Sequence, residues 1–216
     1  MSLRRLAAAT TVLVVAAPLA ASAEAAASSP TAQAQQLAAA QQTFAAAQAA
    51  VVEKLGREEA QTNVATDCGG AGRALPKSKQ AMAFTLLLSY AVVSGAEALA
   101  PAYVAQDHAV AALGLTDPIL SRYGAALHKV ATLIAPLQSA KPVDVCTVIG
   151  HWEQSGYPMT GEKYLRAIFG LNTAQANATQ VADNSNPVVK SFTAAKTAAD
   201  ARMRALGVTP VSFQSS

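Results

Sequence analysis

The chain has 216 residues, of which 52% are hydrophobic, 5% aromatic and 13% charged, and alanine fills roughly a quarter of the positions, far above ordinary usage. Sixteen Lys and Arg stand against 13 Asp and Glu, a formal net charge of +3. So little charge beside so much apolar residue excludes a disordered solvating chain; two cysteines are too few for a disulfide-dense scaffold, and aperiodic Gly and Pro exclude collagen.

The N-terminus reads as a targeting segment. Arg4 and Arg5 precede an apolar stretch from Leu6 to Leu19, which is followed by Ala21-Ser22-Ala23. A basic start, a short apolar core and an A-x-A site describe a secretory signal peptide, here residues 1–23 with cleavage after Ala23. The stretch is short for a membrane span and Pro18 interrupts it, so no integral span is expected after cleavage. Removing it leaves a mature chain with one excess positive charge. No Lys/Arg cluster occurs elsewhere, so a nucleic-acid partner is not expected. The alanine bias suggests a GC-rich bacterial genome, and the product is expected to be secreted or held in the cell envelope.

Residues 24–30 read as a flexible leader, residues 31–208 as one helical domain and residues 209–216 as a loose tail. From Thr31, Leu37, Phe44 and Val51 recur one heptad apart, with Ala40 and Ala47 at the other seam positions, a narrow stripe that lets a neighbouring helix approach closely. Asp67-Cys68-Gly69-Gly70 breaks this helix. The next is expected to start near Pro76 and is apolar all round through Val93, the pattern of a central bundle helix. Pro101 should kink or break it, with resumption through Tyr103, Val104 and Val110.

Thr116-Asp117-Pro118 is a strong start signal. Leu120, Tyr123, Leu127, Val130, Ile134 and Leu137 then alternate spacings of three and four without a miss. Pro142 is expected to open a shorter helix with Val145, Ile149 and Trp152 on one side. Thr160 can cap another, through Tyr164, Leu165, Ile168 and Phe169 to Gly170. Residues 171–185 fit either an extension of that helix or a linker. Asn186-Pro187 starts the last helix, which carries Phe192, Ala195, Ala199 and Met203 inward and ends at Gly207. No alternating strand pattern of useful length and no hairpin signal occur. The expected fold is all-α, an antiparallel helical bundle of five to six helices.

Cys68 and Cys146 are the only cysteines. In an exported chain an even count favours one disulfide, closing a loop of about 79 residues worth roughly 4 kcal/mol of chain entropy. Neither lies in a C-x-x-C.

Chemistry-bearing residues are sparse. Glu97 ends an uncharged helical stretch, where a carboxylate should find a partner or a raised pKa. His108 falls at the edge of a helical face, three turns or about 16 Å along the helix from Glu97. His128 falls off the seam and should face solvent. His151 lies near Cys146 in Gly150-His151-Trp152-Glu153, but the second half of a deaminase zinc site is missing. Tyr90 and Tyr123 sit near apolar seams. Phosphate-binding, nucleophile-elbow and metalloprotease motifs are all absent from the sequence. Glu97, His108, Tyr90, Tyr123 and His151 are therefore the candidate ligand-binding residues. No catalytic residue, metal or cofactor is assigned. The leading expectation is a non-enzymatic partner-binding or structural protein. The alternatives are a carrier or sensor of a small apolar ligand, with a pocket lined by Tyr90, Leu99 and Tyr123, and then a metal-dependent enzyme.

Overall fold

The computed structural model describes residues 29–61, 77–155 and 161–212, and the regular structure among them is all helical. Helix α1 spans Pro30–Gln61 and α2 spans Lys77–Ala112. Helix α3 covers Pro118–Ile134 and runs into a 3-10 turn at Ala135–Ser139. Helices α4 (Val145–Ser155), α5 (Gly161–Phe169) and α6 (Thr173–Ala178) are short; a 3-10 turn at Thr179–Ala182 and α7 (Pro187–Ala205) complete the bundle. None of the described helices is long and apolar enough to cross a membrane. The signal segment, Cys68 with its glycines, Pro76 and Thr160 lie outside the described residues.

The caps show why the helices begin where they do. Asp117 accepts hydrogen bonds through Oδ1 from the Ile119 and Leu120 amides at 3.0 and 3.2 Å, two of the donors that the first turn of a helix leaves without partners. Asn186 caps α7 on the Val188 amide at 2.9 Å. Pro30 is already in the first turn of α1, where its missing N–H costs nothing, so the helix starts one residue before the expected start at Thr31. Helix α4 starts three residues after Pro142, because Asp144 caps it on the Thr147 amide.

Two sequence expectations change. Helix α2 neither breaks nor pauses at Pro101 but is continuous over 36 residues with the proline inside it. Pro101 is exposed, so the carbonyl it leaves without a helical donor, that of Glu97 four residues earlier, lies on a wetted side of the helix. Residues 171–185 are neither an extension of α5 nor a plain linker. Gly170, at φ +67°, ends α5. Asn172 and Gln175 then form a reciprocal capping box, at 2.9 and 3.0 Å, that starts α6 as a separate helix.

The core has two parts sharing α2 and α3. One contains Leu86, Val93, Ala96 and Ala100 of α2 with Ile134, Leu137, Val148, Ile149, Ile168 and Phe169. The other contains Ala34 and Leu37 of α1, Val110 of α2, Leu120, Tyr123 and Leu127 of α3, and Ala199 and Met203 of α7. Tyr103 packs against both. The whole expected α3 seam is buried. In α1 the stripe differs from the expected one: Leu37 and Phe44 are buried, but the position between them is taken by Gln41, while Ala40 and Ala47 are only half-buried.

The start of α1 is tied down by Gln33. Its Oε1 accepts from the Thr116 and Asp117 amides at 2.9 and 3.1 Å, and its Nε2 donates to Thr116 Oγ1 at 2.7 Å. Asp117 Oδ2 also accepts from Arg202 Nε and Nη2, both at 2.9 Å. One turn thus joins α1, α3 and α7.

Candidate functional site

The five candidate residues do not converge. Tyr90 packs against the first core and Tyr123 lies wholly within the second, so no common pocket forms from them. His108 is exposed. His151 is half-buried and its Nδ1 meets the Ile168 carbonyl at 2.9 Å. A carbonyl only accepts, so Nδ1 carries the proton, and the bond fastens α4 to α5. His128 is largely exposed as expected, yet its Nδ1 meets Asp107 Oδ2 at 2.9 Å. Asp107 faces inward from α2, so this ring helps dock α2 on α3. Among the described residues no group of three or more His, Cys, Asp and Glu is placed to hold a metal ion.

Glu97 is half-buried, and burial alone pushes its pKa from 4.5 to about 7. A carboxyl raised in the folded state binds protons between the two values that the unfolded chain has released. Its contribution to stability is therefore lost as pH rises from about 4.5 to 7. Glu97→Gln is expected to raise stability at pH 8 by about 1 kcal/mol, a figure discounted because water reaches one side of the group. At pH 4 the substitution should be neutral. Urea denaturation at the two pH values checks this; an equal effect at both would show that ionisation is not the cause.

A groove runs along the outside of the α3–α7 pair, with about 300 Å³ of space. Its floor is Ala125, Ala126, Ala194, Ala195 and Ala198 with Ser191, and its rim carries Arg122 and Lys129. The two cations lie seven residues apart, two turns or about 10.5 Å along α3. Both are exposed and make no ion pair with a described residue. The acids of the surrounding helices are already engaged: Asp117 with Arg202, Asp200 with Lys196 at 2.7 Å, and Asp107 with His128. The positive charge on this groove is therefore not cancelled from within.

A second feature was missed by the sequence reading. Tyr123, with no exposed surface, brings its hydroxyl to Gln106 of α2, whose Nε2 donates to it at 3.2 Å. Gln41 of α1 also lies beside this phenol; burial first, then the neighbouring Tyr103 and the charge of Asp200 in α7, push its pKa up against the opposing effect of Gln41 and Gln106. The spacing in the sequence allows this position, since Gln41 stands four residues after Leu37 and three before Phe44, but Ala40 fits the same seam equally well.

A comparison with protein-family models, with characterised proteins and with solved structures finds no match for this chain.

Proposed function

We propose that the chain is an exported helical bundle, matured by removal of residues 1–23 and closed by a Cys68–Cys146 disulfide, that works by binding a partner protein rather than by catalysis. The α3–α7 groove carries this reading. An alanine floor lets a helix approach closely, and two uncancelled cations two turns apart select carboxylates at the same spacing. The occupant is an acidic helical segment of a cell-envelope protein. In support of the disulfide, the chain holds an even count of two cysteines and its N-terminus reads as an export signal. The charge pattern favours this reading over a carrier of apolar ligands, whose expected pocket would need Tyr90 and Tyr123 in one core.

The test begins with the chain expressed with its own N-terminus and exported. The mature protein should start at Glu24 and weigh two hydrogens less than its reduced form. A photo-cross-linker at Ala198, in the groove, should then capture one carboxylate-rich helical segment in producing cells, while the same group at the exposed Ala182 should not. Arg122→Glu with Lys129→Glu should cut the yield about tenfold or more, as loss and reversal of rim charge slows association. Capture that ignores both charge reversal and salt would overturn the groove as the binding surface.

A further inference from the structure

The polar groups around Tyr123 are not fully used by the protein. Gln41 is completely buried, yet neither Nε2 nor Oε1 meets a partner in hydrogen-bond geometry. Its amide lies close enough to the Tyr123 phenol to favour that group's ionised form. Gln106 is 4% exposed; its Nε2 serves Tyr123, and its Oε1 is unpartnered. Asp200 spends Oδ2 on Lys196 and leaves a buried Oδ1 unpartnered. These groups come from three helices, α1, α2 and α7, and all act on a phenol supplied by a fourth, α3.

Buried amides and carboxylates almost always have a partner, from the protein or from a bound molecule. Leaving one empty costs its full desolvation, and an apolar side chain of similar shape would serve better. Three such groups on separate helices around one hydroxyl are therefore not an accident of one side chain's placement. We propose that the space beside the Tyr123 hydroxyl is an internal binding site for a small uncharged molecule that donates and accepts hydrogen bonds. The orphan groups set its chemistry. Three oxygens, on Gln41, Gln106 and Asp200, require O–H or N–H donors, while the Gln41 amide nitrogen requires an acceptor. Water has this chemistry, and so does a small polyol or amide. The site is distinct from the outer groove, to which α3 contributes Arg122, Ala125, Ala126 and Lys129 but not Tyr123.

Gln41→Met, which keeps the side chain's length and removes its polar atoms, separates the two cases. If a molecule bridges Gln41 to the other groups, the substitution breaks that bridge and lowers the Tm by about 2–4 °C. If Gln41 is bonded to nothing, removing a buried amide raises the Tm or leaves it unchanged, and either result overturns the proposal. The second measurement needs no variant. A crystal structure of the mature protein at about 1.2 Å should show density about 3 Å from the Gln41 amide. A single-atom peak identifies water. A larger feature, with a matching mass retained in native mass spectrometry and lost on denaturation, identifies a solute. No density there overturns the site.

Discussion

Leu127→Ala is expected to cost about 3–5 kcal/mol, the upper part of the range for a buried leucine, because its surroundings cannot close on the space it leaves. Leu127 has no exposed surface and sits at the centre of the α3 seam, within the core formed with α1, α2 and α7. Its neighbours along α3 and across to α7 include Ala126, Ala131, Ala195 and Ala199, all buried. Alanine has no rotamers with which to fill a cavity, so relaxation would require whole helices to move, and the tie between Gln33, Asp117 and Arg202 resists that at one end of the pair. For a domain of this size, such a loss lowers the Tm by roughly 6–20 °C. Ile119→Ala is the control. Ile119 lies on the same helix but is 37% exposed, and its truncation should cost under about 1 kcal/mol. Thermal and urea denaturation of both variants decides the matter. Similar losses for the two would mean that the α3 seam is not the centre of the core.

How far the sequence could be read follows from what each element depends on. The α3 seam was legible in full because a wide apolar stripe with a capped start depends on local periodicity alone, and the same holds for Asn186 and for Gly207 at the end of α7. Pro101 does not break its helix, because its effect depends on which way it faces: towards water, the lost hydrogen bond is inexpensive and the helix continues. The α1 stripe was misread because small and polar residues share its spacing, so nothing local tells Ala40 from Gln41. Only the arrival of Tyr123 and Gln106 on neighbouring helices gives Gln41 a polar setting. The candidate site suffered most. Tyr90 and Tyr123 both lie on apolar seams, as their spacing indicates, but which of two cores each enters depends on how the helices pair. Arg122 and Lys129 acquire a meaning only once α7 lies alongside α3 with alanines at the contact.

Asp117→Ala is expected to destabilise the protein by about 2–3 kcal/mol, since it removes two functions at once. The cap on the Ile119 and Leu120 amides is worth about 1 kcal/mol. The rest comes from Arg202, whose guanidinium loses its carboxylate; this part is below the 3–5 kcal/mol of a fully buried broken pair because Arg202 is a third exposed and can turn to water. Asp117→Asn separates the two, because asparagine still caps but carries no charge, and it should recover about 1 kcal/mol of the loss. The pH dependence gives an independent check. Burial raises the Asp117 pKa, but the Leu120 amide, Arg202 and the Ile119 amide together outweigh it and hold the carboxyl below its usual 3.8. A carboxyl depressed in the folded state stabilises above its unfolded pKa, and that stability is lost as pH falls through the folded one. The advantage of the native chain over Asp117→Ala should therefore be constant above about pH 5 and shrink below about pH 4, whereas the Glu97→Gln effect changes between about 4.5 and 7. Because the two windows barely overlap, stability curves of the single variants and the native chain from pH 3 to 8 assign each carboxyl its own part of the profile. A loss for Asp117→Ala that persists undiminished at pH 3 would mean that the backbone turn at Thr116 and Asp117, held by Gln33, supports the junction without the charge.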